Sequence, residues 1–508
     1  MSSASGKLIG FIVENSADAA NASRGGGGIY GSGIVSNCVI RNCKAGRGGG
    51  VSGARVYHCV ITNCSAGIGA GIYNSAMVSR TDVAYCRGTA FGIGWYDKTG
   101  YLCVTNCFVH SNAGGGIGAT GTTADGNVYH TVISNNSSVA VRGVNDSRQA
   151  RPRFFNCTII SNVAASGWTD GAGAYHCELH DCDVIGNRIG AVAGCGAGCN
   201  DCWIYGGTVS GNVLEGSSKS SGSGAGVYGC KVWDCEITGN EMGYGTGGGC
   251  YSSTLVGCQI RDNVIANGGF DGGGCRFCTL TNCIISGNIC RASTTSSSGA
   301  GAGIQGGTAV NCRIFNNVGG FRGGGAHGAI LENCIVSNNV TRSTNGGAGG
   351  GGAFNCEAYN SIFADNHAAK GIGGVDAHEN TANDSCLVNC TIVNNPGDSG
   401  FAGLRSVINC IAWGNGTKAS SCTACTNSCV EKLSCSAQDG CFSSDPRLDA
   451  RYAPKSAKCH NKALPFGWMT DPNDVRSKDV YGAARVQGKG CDIGAVEQPD
   501  CGMIMMVR

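Results

Sequence analysis

One short motif recurs along most of this 508-residue chain and constrains what the chain can fold into. Its general form is Cys-x-(Ile/Val)-x-x-Asn, and the segment 333–339, Asn-Cys-Ile-Val-Ser-Asn-Asn, contains one copy. The motif occurs 17 times over the first 415 residues, at intervals of 20 to 29 residues. Repetition at such a period is the signature of a repeat architecture. We name its first, third and sixth positions the Cys column, the aliphatic column and the Asn column.

The Cys column admits only small side chains. It is filled by Gly10, Cys38, Cys59, Thr81, Cys107, Thr131, Cys157, Cys182, Gly207, Cys235, Cys258, Cys283, Cys312, Cys334, Ser361, Cys390 and Cys410. The aliphatic column is Ile or Val in 15 copies, and the Asn column is Asn in 14. We therefore expect a narrow inward position, an aliphatic core and a corner where stacked amides bond one another. The predicted amide ladder contains Asn112, Asn136, Asn162, Asn187, Asn212, Asn240, Asn263, Asn288, Asn317 and Asn339.

The spacing of the apolar residues indicates strands rather than helices. The core positions lie two residues apart, and no segment sustains a 3.6-residue period. A glycine-rich corner such as 26–28 comes before many Cys-column residues, where close backbone approach is needed. These features predict an all-β chain that forms a right-handed parallel β-helix of about 17 coils over 1–415.

Composition excludes several classes of function. The net charge is +2, only 14% of the residues are charged, and no run of Lys and Arg occurs. This balance argues against nucleic-acid binding. No apolar stretch approaches the length of a membrane span, so we expect none. The first seven residues show neither the apolar region nor the cleavage site of a signal peptide.

The 35 cysteines suggest an oxidising compartment. Many fill the Cys column and are expected to be buried thiols. Others recur at equivalent positions on successive coils, where the coil spacing suits a disulfide. The disulfide candidates in the coils are Cys43, Cys64, Cys86, Cys177, Cys202, Cys230, Cys250 and Cys275. Disulfides of this kind would indicate export.

The composition changes near residue 416, which predicts a Cys-rich C-terminal module over 416–508. Only seven of the 88 glycines lie beyond 416, whereas five of the seven prolines do. The module's eight cysteines, also disulfide candidates, are Cys422, Cys425, Cys429, Cys435, Cys441, Cys459, Cys491 and Cys501. One Cys-x2-Cys pair is zinc-like, but the second pair of a zinc ribbon is missing, so we predict disulfide bonds and no metal site.

The closing residues resemble those of a known family. The segments 445–448 (Asp-Pro-Arg-Leu), 478–485 and 492–497 (Asp-Ile-Gly-Ala-Val-Glu) are similar to the end of bacterial choice-of-anchor surface proteins, in which a pectate-lyase-like right-handed β-helix precedes this motif. The coils also resemble, more weakly, polymorphic outer-membrane protein repeats. The resemblance implies an extracellular or cell-surface location and no particular reaction, and a sorting or anchor sequence of that family is not seen.

An enzymatic function would need clustered acidic residues. Polysaccharide lyases require a calcium site of several carboxylates with a basic residue nearby, and hydrolases require two or three carboxylates. The position before the Cys column is mostly Asn, and the best acidic group is Asp181, Asp183, Asp201 and Asp234. Strand parity places Asp181 and Asp183 on one outer face, where they would bind Ca²⁺ or form a solvated stripe. We expect no other cofactor.

Three hypotheses follow. The first is a non-catalytic, structural or adhesive β-helix, secreted or at the cell surface, which assembles end to end into fibres or binds an extracellular polysaccharide or the cell surface. The second is a polysaccharide lyase or glycoside hydrolase that uses the acidic group. The third is a carbohydrate-binding module whose exposed aromatic residues stack on sugars. The aromatic residues in question are Trp95, Tyr96, Trp168, Trp203 and Trp233.

Overall fold

A computed structural model gives the structure of the protein. It describes residues 6–17, 25–96, 102–119, 125–143, 151–164, 169–190, 194–216, 222–267, 271–291, 299–345, 348–377, 385–487 and 490–499. The fold is an all-β parallel solenoid of about 14 turns. The fold class is as predicted, but the number of turns is lower than the 17 motif copies. Each motif copy marks only one strand of a coil, whereas a complete turn has a strand on every side. In the coils at both ends, the described residues form strands on only some sides.

The chain divides into two compact units. The first comprises Met1–Gly245 and Gly249–Thr254, and the second comprises Thr246–Gly248 and Leu255–Arg508. In each unit the strands that follow the Cys column form one parallel sheet, here the first sheet. The strands that precede the Cys column form the second sheet. Shorter strands lie on the remaining sides of the coils.

The first unit contains the following strands. Its first sheet has Ile12–Glu14, Val39–Arg41, Val60–Thr62, Asp82–Ala84, Phe108–His110, Val132–Ser134, Thr158–Ile160, Asp183–Ile185, Thr208–Ser210 and Glu236–Thr238. Its second sheet has Lys7–Ile9, Ile34–Ser36, Arg55–Tyr57, Met77–Ser79, Leu102–Thr105, Gly126–Tyr129, Arg153–Phe155, Glu178–His180, Trp203–Tyr205 and Lys231–Trp233. Strands after the glycine corners are Ile29–Tyr30, Val51–Ser52, Ile72–Tyr73, Phe91–Trp95, Gly115–Ala119, Val141–Arg142, Ala174–Tyr175, Cys199–Asn200, Val227–Tyr228 and Cys250–Tyr251. The remaining strands are Val163–Ala164, Thr169–Asp170, Arg188–Ile189, Gly194–Cys195, Val213–Leu214, Gly222–Ser223 and Glu241–Met242.

The second unit has the same plan. Two strands, Gly245–Thr246 and Thr254–Val256, include residues of both units. The first sheet has Gln259–Arg261, Ile284–Ser286, Arg313–Phe315, Ile335–Ser337, Ile362–Ala364, Thr391–Val393, Ile411–Trp413 and Cys429–Val430. The second sheet has Cys275–Thr281, Ile304–Val310, Ile330–Glu332, Glu357–Tyr359, Cys386–Val388, Leu404–Ile408, Ser420–Thr426 and Leu433–Asp439. Shorter strands are Val264–Ile265, Ile289–Cys290, Val318–Gly319, Ala326–His327, Val340–Thr341, Ala353–Phe354, His367–Ala368, Val375–Asp376 and Phe401–Ala402.

The core of each unit is made of stacked, equivalent residues. Aliphatic-column residues such as Ile159 and Val184 are completely buried, because consecutive coils pair in parallel with equivalent positions in register. The amides of Asn112 to Asn240 form a ladder in the first unit, with Nδ2–Oδ1 distances of 2.9–3.1 Å. The amides of Asn263 to Asn415 form a ladder of 2.9–3.0 Å in the second unit. All ten residues expected in an amide ladder lie in these two stacks.

The last glycine of a corner leaves room for this ladder. A Cβ atom on Gly173 would lie 2.5 Å from the carbonyl oxygen of Gly198 and 3.0 Å from the amide nitrogen of Asn187. Both distances are shorter than van der Waals contact, so a side chain at this position would displace the neighbouring coil. The glycine corner and the Asn column are therefore two parts of one packing arrangement.

Parallel pairing continues past residue 415, where the sequence pattern placed the end of the β-helix. Strand Ser420–Thr426 pairs with Leu404–Ile408, and Leu433–Asp439 pairs with Ser420–Thr426. Residues 416–439 are thus coil residues, although they contain few glycines. The segment from Asp445 onward has two short 3-10 helices, Gly467–Thr470 and Val475–Ser477, and packs through Ala495 and Val496 against coil residues of the second unit.

The closing motif forms a buried polar network in the second unit. The Arg485 guanidinium is fully buried, and it donates hydrogen bonds to the carbonyl oxygens of Gly494 and Asp492, each at 2.9 Å. It also lies 3.0 Å from the Glu497 carboxylate. Asp479 accepts hydrogen bonds from the amides of Tyr481 and Glu497. The motif residues therefore hold the closing segment together.

Candidate functional site

The outer face of the second sheet in the first unit carries two columns of large side chains. Parallel register places Arg153, Glu178 and Trp203 beside one another on successive strands. Two residues further along each strand the second column begins. It consists of Tyr129, Phe155, His180, Tyr205 and Trp233. Because side chains alternate across a strand, both columns point away from the core. We call the second column the aromatic ladder.

The rings of the aromatic ladder stack on one another without a gap. Consecutive ring centres are 4.7–5.0 Å apart, and the planes are tilted by only 4–14°. This distance matches the separation of neighbouring strands, so the backbone sets the stacking. Each stacked pair contributes about 0.5–1.5 kcal/mol beyond the area that it buries. The ring faces are covered by neighbouring rings, and the edges are the parts that face outward.

Charged groups accompany the ladder in the adjoining column. The Arg153 guanidinium lies 3.2 Å from the Asp125 carboxylate, and Glu178 lies 2.8 Å from His180 Nε2. The Trp203 ring has the Arg151 guanidinium 5.2 Å and the Lys231 ammonium 5.3 Å from its centre. Cations at this distance are attracted to the ring's electron-rich face. The whole face therefore combines aromatic edges with charges of both signs.

A buried histidine lies at the corner beside this face. His176 Nδ1 is 2.7 Å from Asp201 Oδ2, and the Arg151 guanidinium is 3.0 Å from Asp201 Oδ1. Burial raises the pKa of Asp201, but the hydrogen bonds from His176 and Arg151 outweigh it and hold the pKa below its ordinary value. His176 is 2% exposed, and its Nε2 has no hydrogen-bond partner within the described residues. Asp201 is thus an ionised, fully engaged carboxylate.

The four acidic residues of the catalytic hypothesis do not converge. Asp181 and Asp234 occupy the corner before the Cys column with φ of 49° and 51°, and Gly206 stands at that corner on the coil between them. Asp183 lies on the first sheet between Thr158 and Thr208. Asp201 lies at a different corner, paired with His176. Asp181 and Asp234 are two coils apart, which is a main-chain separation of about 9.6 Å.

The described residues contain no group of three or more His, Cys, Asp or Glu side chains that could hold a metal ion. Calcium binding accordingly stays a prediction with no cluster of donors to support it. Among the described parts of the chain, no helix is long and apolar enough to cross a membrane.

The disulfide candidates of the described residues are present as thiols. Cys43, Cys64 and Cys86 occupy the Asn column on successive coils, and the Cys64 thiol and then burial raise the pKa of Cys43 far above its ordinary value. Cys177, Cys202 and Cys230 form a second buried stack. Cys250 and Cys275 belong to different units. Disulfide formation in these stacks therefore stays a prediction.

Thiols of the last coils also lie close together. Cys422 Sγ is 3.6 Å from Cys435 Sγ, on strands that pair in register. Cys425 shares a thiol hydrogen bond with Cys441, and Cys429 shares one with Cys459. Cys491 Sγ lies 3.5 Å from the sulfur of Met469. Cys501 lies outside the described residues.

The sequence patterns did not identify the aromatic ladder or the His176–Asp201–Arg151 group. A signal for the ladder exists, since five consecutive motif copies carry an aromatic residue or His two positions before the Cys column. No such signal exists for Arg151 and Asp201, which are 50 residues apart. Of the aromatic residues proposed to stack on sugars, Trp95 is 2% exposed, Trp203 lies under two cations and Trp233 stacks on Tyr205. Tyr96 is 47% exposed, with the Arg47 guanidinium 5.3 Å from its ring centre. Trp168 lies outside the described residues.

Comparison of this chain with protein-family models, curated proteins and solved structures finds no match.

Proposed function

We propose that this protein is a non-catalytic, structural or adhesive β-helix that acts outside the cell or at its surface. One observation carries the proposal: the acidic residues that a polysaccharide-cleaving enzyme would need lie on separate faces and corners of the first unit. Among these acidic residues, Asp201 is held by Arg151 and His176. The resemblance of the closing motif to that of choice-of-anchor surface proteins supports the location.

The aromatic ladder and its neighbouring charged column are the proposed adhesive face. Large contiguous aromatic surfaces on a soluble protein are typical of interaction sites. Tyr205 and Trp233 are only partly buried, and Arg153 and Lys231 bring two cations to the same face. Because ring faces are covered by stacking, a ligand meets ring edges, tyrosine hydroxyls and charges. An extracellular polysaccharide or another polar component of a cell surface suits such a face.

The adhesive face is tested by binding to immobilised neutral and acidic polysaccharides. We expect the double variant R153E/K231E to lose at least about tenfold in affinity, because two cations become anions on the contact surface. The matched control K44E/R87E makes the same charge change at two exposed residues elsewhere in the first unit. Equal binding by both variants would contradict the assignment of this face.

Assembly end to end forms the second part of the proposal. The first described coil leaves Ile9, Phe11 and Ile12 exposed by 54%, 55% and 64%. An exposed apolar strand edge is a template for pairing with another strand. A second copy of this chain would supply that strand, and repetition of the contact would produce fibres.

A further inference from the structure

A second column of asparagines, distinct from the buried amide ladder, runs along the corner before the Cys column in the second unit. It contains Asn333, Asn360, Asn389, Asn409 and Asn427, and their φ angles are all 47–54°. Each Nδ2 from Asn360 onward donates to Oδ1 of the asparagine before it, at 2.8–3.1 Å. Asparagine tolerates this left-handed conformation better than most residues. The repeated conformation gives every side chain of the column the same outward orientation.

The outer side of this column binds polypeptide main chain. Asn333 Nδ2 donates to the carbonyl oxygen of Val475 at 2.9 Å, and Asn360 Nδ2 donates to those of Arg476 and Lys478 at 2.8 and 2.9 Å. Asn409 Nδ2 donates to the carbonyl oxygen of Leu464 at 2.9 Å, and Asn409 Oδ1 accepts from the main-chain N–H of Leu464 at 2.8 Å. The closing segment is thus held by amide contacts that do not depend on its side chains.

The column continues beyond the closing segment as Asn311 and Asn282. Their φ angles, 53° and 55°, match those of the occupied asparagines. Both residues are exposed, and their side-chain amides make no hydrogen bond to other described residues. They line a cleft of about 810 Å³ that is also lined by Asp474, Lys478 and Tyr481 of the closing segment. The same binding geometry is therefore presented twice more, with open space in front of it.

The cleft carries an excess of positive charge. Arg313 and Lys478 line it, and neither forms an ion pair with another described residue. The one carboxylate in the lining, Asp474, is held by Arg476 through contacts of 3.0 and 2.7 Å. An acidic ligand would gain electrostatic attraction here without competing with an existing partner.

We propose that this cleft binds an extended, acidic polypeptide segment of a partner protein, whose main-chain carbonyls accept hydrogen bonds from Asn311 and Asn282. The argument is continuity: the next two asparagines of the column, Asn333 and Asn360, already bind main chain in this way. Recognition through the main chain gives affinity, as in peptide binding along a sheet edge, and the charge of the cleft selects acidic segments.

The probe is a fluorescently labelled peptide with blocked ends that copies residues 472–478, in which the copies of Arg476 and Lys478 are replaced by Glu. In the full chain, residues 475–478 reach from Asn333 to Asn360, which lie on successive coils. A peptide of this length can therefore reach from Asn282 to Asn311. We expect saturable binding by fluorescence anisotropy. The unaltered basic copy should bind at least about tenfold more weakly, and a scrambled acidic peptide should bind within about twofold.

Variants identify the contacts. N311G and N282G remove the amide while keeping a residue that accepts positive φ, as Gly257 already does at this corner. Each should weaken binding by about three- to tenfold, the effect of one neutral hydrogen bond. The matched control N156G changes the equivalent exposed corner in the first unit, with φ of 50°, and should leave affinity unchanged. Unchanged far-ultraviolet circular dichroism and melting temperature will establish that each variant is folded.

Three results would overturn the proposal. They are absence of saturable binding by the acidic peptide, equal affinity in N311G, N282G and N156G, and binding by the ordered sequence but not by the scrambled one. The last result would mean that side chains, rather than main chain, are recognised.

Discussion

The buried asparagine illustrates how single residues stabilise this fold. The Asn187 side chain donates to the Ile159 carbonyl at 2.9 Å and to Asn212 Oδ1 at 3.1 Å. It accepts from both nitrogens of Asn162, at 3.0 and 2.9 Å. Loss of the side chain would leave the buried Asn162 main-chain N–H without its acceptor, at a cost of about 1–3 kcal/mol. Asn162 Nδ2 would keep the Ile133 and Ile160 carbonyls, and Asn212 Oδ1 would keep the Asn187 main-chain N–H. The Asn column is therefore a requirement of the interior.

Substitution of one rung should be strongly destabilising. We expect N187D to lower the free energy of unfolding by about 3–5 kcal/mol at neutral pH. The new carboxylate would be buried, and it would place an acceptor oxygen against the Ile159 carbonyl and Asn212 Oδ1, which now accept hydrogen bonds from the Asn187 amide. Burial raises the pKa of a carboxyl, so the loss should shrink as the pH falls and the group becomes protonated. The control N156D places the same charge at an exposed corner, where Asp181 and Asp234 already stand. Chemical denaturation of both variants measures the difference, and equal stability would contradict this role of Asn187.

A second titrating residue is Glu497 in the closing network. Burial raises its pKa to about 8, although Arg485 acts in the opposite direction. An unfolded chain loses this proton near pH 4.3, so the stabilising effect of the protonated form is complete below that pH and is lost as the pH rises through about 8.

We therefore expect E497Q, which cannot titrate, to flatten this dependence. The loss of unfolding free energy between about pH 5 and pH 8 should be smaller in E497Q than in the original protein, by as much as about 4 kcal/mol. Denaturant titrations of both proteins at the two pH values provide the comparison. Parallel pH profiles would show that Glu497 is not responsible.

At the scale of the coil, the sequence motif predicted much of what forms. The Cys column forms a narrow inward position, the aliphatic column forms the core and the Asn column forms a corner, because each residue must match the same position on the next coil. The end of the coils was less visible, because the coil that follows the 17 copies matches the motif only in part. It has Ser428 in the Cys column and Leu433 in place of Asn, and few glycines surround it. The two strands at 420–439 nevertheless pair in register, since pairing uses the main chain.

The candidate site was predictable only in part. The aromatic ladder can be read once the register is known, because its residues share one column. The contact of Arg151 with Asp201 joins residues in different coils, and the length of the intervening loops, not the motif, determines which residues meet. Strand parity predicted that Asp181 and Asp183 share one outer face, but Asp181 lies at a corner and Asp183 on a sheet.

Disulfide connectivity in the last coils is a prediction at this scale. Oxidation should join Cys422 to Cys435, Cys425 to Cys441 and Cys429 to Cys459, because this is the only pairing of neighbouring thiols that uses all six. Hydrogen bonding by the Cys422 thiol lowers the pKa of Cys425 to about 7 despite burial, which provides thiolate for exchange. Peptide mapping by mass spectrometry after air oxidation identifies the bonds. Cys491, next to Met469, serves as the control thiol, and bonds in any other arrangement would contradict the prediction.

At the scale of the whole molecule, the small net charge and the stacked parallel coils of each unit suit a structural or adhesive role. Assembly is testable by negative-stain electron microscopy of the purified chain. We expect filaments, and we expect the variant F11D/I12D to disperse them, because two charges would then stand on the exposed strand edge. A charge change at the exposed residues Lys44 and Arg87 should leave filaments intact. Separate particles at all concentrations would contradict end-to-end assembly.

The measurement that tests the central claim most directly is a cleavage assay on the polysaccharides to which the protein binds. New reducing ends and unsaturated uronate products report hydrolysis and lyase activity, respectively. The non-catalytic proposal predicts no product above that of a heat-denatured sample, even under saturating binding. Product formation that disappears in D181A/D183A or in D201N would contradict it and would establish the acidic residues of the first unit as catalytic.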